Sequence, residues 1–125
     1  MNNNLHTLFK GVKQAIRVAD KNPGDSKMVE ARVMGPFGVH KSPYHKGKFD
    51  VTHVPSGTFA FGGCSSAECK FAVVLAIETL GELPEKPMDF TKAQHNQIIE
   101  IRRLLAEGEI EAAVREYRAA KRAEG

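Results

Sequence analysis

The sequence predicts an α+β fold: a three-stranded antiparallel β-meander packed on a central buried helix, with an N-terminal helix and a C-terminal helical hairpin. Residues 28 to 62 alternate apolar and polar side chains between turn-forming residues, which is typical of strands. Residues 71 to 77 read FAVVLAI, an apolar run enclosed by helix start and stop signals. With 125 residues, of which 42% are hydrophobic, we expect one domain with its own core.

The first element is predicted to be a helix within residues 1 to 22. Pro23 and Gly24 end it, because both residues favour turns. Its apolar stripe follows helical spacing and comprises Leu5, Leu8, Phe9, Val12 and Ile16.

The β-meander is predicted over residues 28 to 62. MVEARVM alternates with period two, and FGVH continues the same strand after a bulge or bend at Gly35-Pro36. FDVTHV, at residues 49 to 54, forms the second strand. TFAFG forms the third after a PSG turn. The polar segment KSPYHKGK, residues 41 to 48, is the hairpin loop between the first two strands.

The central helix is predicted over residues 65 to 81. Ser65 and Glu68 stand in the S-x-x-E pattern of a capping box, and Gly81 stands where a C-terminal glycine belongs. The helix is apolar on nearly every side, so we expect it to be buried.

The C-terminal segment, residues 91 to 123, is predicted to be helical. Thr91 and Gln94 repeat the capping-box pattern, and Gly108 interrupts the apolar stripe. The segment is therefore a helical hairpin or one long kinked helix.

Charge and cysteine content limit the classes of function. The net charge of +3 permits phosphate-bearing partners without requiring them. Two cysteines are too few for a secreted disulfide framework, and the N-terminus lacks the pattern of a signal peptide. The five histidines and two cysteines do not follow metal-binding spacings. We therefore expect a cytoplasmic protein without a metal, a cofactor or a membrane segment.

The main candidate site is the corner between the last strand and the central helix, which we call the glycine corner. Glycines allow close approach to the backbone, and a helix N-terminus offers free N–H groups and a positive dipole end, as a phosphate site requires. The alternatives are a tight turn that only caps its own helix, or a catalytic Cys64 with His53 as its base. The corner consists of Gly62, Gly63, Cys64, Ser65 and Ser66.

Basic side chains supply the remaining candidates. Lys41, Lys46 and Lys48 lie in the predicted hairpin loop, where Tyr44 is available to stack on a base. On the last helix, Arg115 and Arg118 are able to clamp a phosphate, although Glu111 stands four residues before Arg115 as an ion-pair partner. Alternatively, the loop residues and the arginines are ordinary solvent-exposed side chains without a ligand.

The segment VTHVPSG, followed by a short strand and an alanine-rich helix, resembles small phage or mobile-element proteins whose hairpin carries T-H-x-P-T-G. Here the motif residues are Thr52, His53, Pro55 and Gly57, with Ser56 where threonine is more usual. The likeness covers residues 49 to 80 and extends to the Thoeris anti-defence sponge proteins. It implies a phage-encoded protein that sequesters a nucleotide signal in the host cytoplasm, but it assigns no ligand-binding residue.

The sequence therefore predicts a non-catalytic, homo-oligomeric protein that binds an anionic phosphate-bearing ligand, a nucleotide above all. One alternative is a nucleic-acid-binding protein that uses the basic hairpin at residues 40 to 48. Another is an inhibitor that covers the surface of a host enzyme. An enzyme is the least favoured class, because no acid–base or nucleophile constellation stands out.

Overall fold

The computed structural model describes residues 7–19 and 24–124 of the chain. Five strands come first and the helices follow. The strands are β1 (Val12–Ala19), β2 (Ser26–Met34), β3 (Phe37–Lys41), β4 (Phe49–His53) and β5 (Thr58–Cys64). The helices are α1 (Ser66–Leu80), α2 (Lys92–Ala106) and α3 (Ile110–Glu124), with a short 3₁₀ turn at Pro87–Asp89.

The five strands form one antiparallel sheet in the order β1-β2-β3-β4-β5. The α+β architecture agrees with the sequence prediction, but the prediction of a three-stranded meander is wrong. Two separate errors account for the two additional strands.

The first error concerns the N-terminal segment. Val12–Ala19 is a strand that pairs with β2 along its whole length, not part of a helix. Ile16 and Val18 are buried while their neighbours are exposed, and Val12 is 66% exposed, so the true period is two. The remaining parts of the predicted helix at residues 1 to 6 and 20 to 22 lie outside the described residues.

The second error concerns Gly35-Pro36. These residues form a two-residue turn between β2 and β3, since Met34 pairs directly with Phe37. Gly35 has φ +59°, as the first central position of a tight hairpin turn requires. Glycine adopts such a positive φ readily because it has no Cβ. FGVH is therefore a strand of its own and not the continuation of β2.

The sheet curls strongly. Only the last three residues of β2 pair with β3. The rest of β2 diverges from β3 and remains paired with β1. The curled β1–β2 hairpin buries Ile16, Val18 and Ala31 in a small second core. Gly38 makes room for it, because a Cβ at that position would lie 2.8 Å from the Ile16 Cδ1.

The helices agree with the sequence prediction. Ser65 and Glu68 form the predicted capping box of α1, and Gly81 is its C-cap. Thr91 and Gln94 likewise form the capping box of α2. The helical conformation is interrupted around Gly108, between the end of α2 at Ala106 and the start of α3 at Ile110. The two helices therefore form a hairpin and not one kinked helix.

The main core lies between the sheet and α1, which packs against both other helices. The prediction of a buried central helix is confirmed, since eight of its residues are buried. Within the described ranges, no helix has both the length and the apolar character that crossing a bilayer would take.

Candidate functional site

The glycine corner connects β5 to α1 and holds negative charges from the chain itself. The Gly63 N–H donates a hydrogen bond of 2.9 Å to Asp50 Oδ1, and the carboxylate is buried. The Ser65 N–H and hydroxyl donate to Glu68 Oε1 at 3.2 and 3.0 Å. An external phosphate at Gly63 or Ser65 would therefore have to displace these carboxylates.

Two thiols meet behind the glycine corner. Cys64 Sγ and Cys69 Sγ are 3.1 Å apart, and both residues are buried. The hydrogen bond from Cys69 lowers the pKa of Cys64, while the same contact and burial raise the pKa of Cys69. Cys64 is thus the thiol that ionises first. However, His53, the base considered for it, directs Nδ1 toward Ser56 Oγ at 2.7 Å.

The loop between β3 and β4 is closed by its own hydrogen bonds. The Ser42 N–H donates to Lys48 O at 2.9 Å, and Ser42 Oγ accepts from the N–H groups of Tyr44 and His45. The side chains of the predicted site residues Lys41, Tyr44, Lys46 and Lys48 are exposed along this loop.

The two predicted arginines of α3 are engaged in ion pairs. Arg115 Nη2 lies 3.0 Å from Glu111 Oε2, four residues earlier on the same helix. Arg118 Nη1 lies 2.6 Å from Glu78 Oε2 of α1. Both arginines thus have carboxylate partners, and neither lines the cavities described below.

A wide cleft opens where β2 separates from β3, and we call it the basic cleft. It has a volume of about 580 Å³ and extends from the β1–β2 hairpin to the start of the β3–β4 loop. Four cationic side chains and one carboxylate line it. The lining residues are Lys13, Lys27, Val29, Glu30, Ala31, Arg32, Val39, His40, Lys41, Ser42, Pro43 and Phe49.

His40 forms part of the wall of the basic cleft and is held rigidly. Its Nδ1 lies 2.9 Å from Lys41 O and its Nε2 lies 2.7 Å from Thr52 Oγ1. Because a carbonyl only accepts, Nδ1 carries the proton. The side chain is also buried, so it forms a fixed part of the cleft wall.

Of the residues predicted from the sequence, only Lys41 lines the basic cleft. Sequence reasoning missed Lys13, Lys27 and Arg32, because β1 was assigned to a helix and β2 was thought to continue into β3. The sequence did contain a signal for the end of β2: the alternating pattern of β2 stops at Gly35-Pro36, a pair of residues that favours a tight turn.

A second, smaller cavity lies between the end of the sheet and α2, and we call it the aromatic pocket. Its volume is about 170 Å³. The predicted site residue His53 belongs to this pocket and not to the glycine corner. The lining residues are Phe37, His53, Thr58, Phe59, Ala60, Pro87, Phe90, His95, Ile98, Ile99 and Arg102.

Burial of His53 makes the stability of the fold depend on pH. Desolvation lowers the pKa of His53 from its ordinary value of 6.5. Below that value the unfolded chain binds a proton that the folded chain does not, so the free energy of unfolding should fall as the pH drops below 6.5 toward the lower folded pKa. We expect His53→Gln to flatten this dependence in urea denaturation measured across that range.

The control is His45→Gln, which removes an exposed histidine in the β3–β4 loop. It should leave the pH dependence close to that of the wild type. Equal slopes for the wild type and His53→Gln would contradict the expectation.

The part of the chain that the structure describes contains no cluster of three or more His, Cys, Asp or Glu side chains able to hold a metal ion. Comparisons of the chain with protein-family models, with curated proteins and with solved structures gave no match.

Proposed function

We propose that the protein binds a phosphate-bearing small molecule, a nucleotide, in the basic cleft without catalysing a reaction. The observation that supports this is the charge of the cleft wall: Lys13, Lys27, Arg32 and Lys41 against the single carboxylate of Glu30. Like charges gathered around a concave surface focus a positive potential and attract anions. The corner proposed from the sequence has no such excess, because Asp50 and Glu68 occupy its donors.

The size and composition of the cleft suit a nucleotide. A volume of 580 Å³ is within the range of small-molecule sites. The half-buried Phe49 offers apolar surface for a base or sugar, and four cationic side chains line the same cleft for the phosphates. Arg32 adds a planar fork that fits phosphate oxygens in pairs.

Glu30 competes only weakly with a phosphate for the cationic side chains of the cleft. Its carboxylate lies 3.6 Å from Lys13 Nζ, and both side chains are largely exposed, at 70% and 60%. Exposed pairs of this kind contribute little, so a phosphate is able to compete for Lys13.

A charge-removal experiment tests the proposal. The double variant Arg32→Gln, Lys41→Gln should weaken nucleotide binding at least about tenfold, or ~1.4 kcal/mol, because two phosphate contacts are lost. Isothermal titration calorimetry at low salt with nucleoside mono-, di- and triphosphates and cyclic dinucleotides measures this. The unphosphorylated nucleosides should bind far more weakly than the nucleotides.

The matched control removes the same charge elsewhere. Lys121→Gln, Arg122→Gln changes two exposed residues in the last turn of α3, away from the basic cleft. Its affinity should remain near that of the wild type. The proposal fails if the wild type binds none of the nucleotides, or if both double variants weaken binding equally.

A second candidate function is binding of single-stranded nucleic acid. The observation that favours it is the continuity of the basic cleft with the exposed β3–β4 loop, where Lys46 and Lys48 add charge and Tyr44 is 49% exposed. An extended strand would contact many phosphates, so its affinity would fall steeply with salt. A nucleotide held in the cleft would show a shallow slope, which separates the two functions in one titration series.

Sequestration of a nucleotide signal is the biological role that accompanies the first candidate. It follows from the resemblance of residues 49 to 80 to phage anti-defence proteins. In the structure, the T-H-V-P-S-G residues form the end of β4 and the turn into β5, with Thr52 bonded to His40 of the cleft wall. Thr52 of the motif therefore holds a residue that lines the basic cleft.

A further inference from the structure

The aromatic pocket is a second site, separate from the basic cleft. No residue lines both cavities. Its walls come from β3 to β5 on one side and from the 3₁₀ turn and α2 on the other. The rings of His53 and Phe90 meet edge to face, with centroids 5.3 Å apart, and Phe37 approaches His53 at 6.2 Å. Such walls favour a flat aromatic guest.

His53 provides an unsatisfied hydrogen-bonding atom in this wall. The residue is only 2% exposed, and its Nε2 is buried without a hydrogen-bond partner from the described residues. The opposite ring nitrogen, Nδ1, is bonded to Ser56 Oγ at 2.7 Å, which fixes the orientation of the ring. A buried polar atom without a hydrogen-bond partner costs free energy. A ligand that forms a hydrogen bond with Nε2 removes this cost, and its affinity increases accordingly.

The rim of the aromatic pocket carries one fixed cation. Arg102 Nε donates to Ala60 O at 2.7 Å, and the guanidinium carbon lies 5.7 Å from the centroid of the Phe59 ring. Phe59 and Ile99 at the rim are 49% and 59% exposed, which is unusual for large apolar side chains. A guest is thus able to gain contact with apolar surface and with a positive charge together.

We propose that the aromatic pocket binds a small monocyclic phenol, and that a carboxylate on the ring strengthens binding through Arg102. The pocket of 170 Å³ matches a single ring, since a cavity of ~150 Å³ accommodates benzene. A hydroxyl group both donates and accepts, so it satisfies Nε2 whichever ring nitrogen of His53 carries the proton. The aromatic walls and the single polar atom together define this ligand class.

The test compares three probes by calorimetry: 4-hydroxybenzoate, phenol and benzoate. We expect 4-hydroxybenzoate to bind most tightly, since it meets both His53 and Arg102. Benzoate, which lacks the hydroxyl group, should bind about tenfold or more weakly, because it leaves Nε2 unpaired. Bound 4-hydroxybenzoate should also shift the ¹⁵N resonance of His53 Nε2, while that of His40 remains unchanged.

Three variants complete the test. Ile99→Trp, at an exposed rim position, should block entry without disturbing the core, whereas Asn96→Trp, at an exposed position of α2 that does not line the pocket, should leave binding near the wild-type affinity. Arg102→Gln should remove the advantage of 4-hydroxybenzoate over phenol. Absence of binding by all three probes, equal affinities for 4-hydroxybenzoate and benzoate, or no effect of Ile99→Trp would each overturn the proposal.

Discussion

Replacing Phe61 by alanine is expected to lower the free energy of unfolding by about 3–5 kcal/mol. Phe61 is fully buried on β5, and its ring centroid lies 5.7 Å from that of Phe37 in the main core. Truncation removes the apolar surface of the ring and leaves a cavity that the sheet and α1 close only in part. Urea denaturation followed by circular dichroism measures the loss.

Phe59→Ala is the matched control, because the residue type and the strand are the same. Phe59 is 49% exposed, and the centroid of its ring lies 5.7 Å from the guanidinium carbon of Arg102. Its loss should cost about 1 kcal/mol or less. Similar losses for the two variants would show that β5 does not bury Phe61 as described.

Gly62→Ala should be nearly as damaging, at about 3–5 kcal/mol. A Cβ at Gly62 would lie 2.5 Å from Asp50 Oδ1, 2.6 Å from Asp50 Cα and 3.0 Å from Phe49 O. Two of these atoms belong to the backbone of β4, so the strand pair itself must separate to accept the methyl group. The variant is therefore expected to melt well below the wild type in a thermal scan.

A substitution at the adjacent Gly63 measures backbone strain without a steric clash, and so serves as the control for Gly62→Ala. Gly63 has φ +75°, but a Cβ there would meet no atom within 4 Å. Gly63→Ala should therefore cost only the strain of a left-handed residue, about 1–2 kcal/mol. If Gly63→Ala proved as destabilising as Gly62→Ala, conformation and not the contact with Asp50 would dominate the glycine corner.

The helices were predictable because their signals are local. A capping box such as Ser65 with Glu68 lies within four residues, and the structure forms it as predicted. The N-terminal segment was ambiguous: Val12 and Ile16 stand four residues apart, which fits both a helical stripe and a strand of period two. Only pairing with β2 decides between the two, and that interaction is not visible in the segment itself.

The sites depend on contacts between distant parts of the chain. Lys13 and Lys41 stand on strands that are neither consecutive nor paired, and the curl of the sheet alone places both in the basic cleft. The glycine corner shows the opposite case. The sequence predicted that its N–H groups would be donors to an external anion, but the register that pairs Asp50 with Gly62 places an internal carboxylate on the Gly63 N–H.

The order of the five strands bears on how the chain folds. Each strand pairs with the next one along the sequence, so every ladder closes through a short loop at a small entropic cost. Such local pairing lowers the contact order, and proteins of low contact order cross their folding barrier quickly. The hydrogen bond of 3.1 Å from the Ala19 N–H to Gly57 O joins residues far apart in sequence, so we expect this contact to form late in folding. We therefore also expect the basic cleft, which depends on the curl of the sheet, to take shape late.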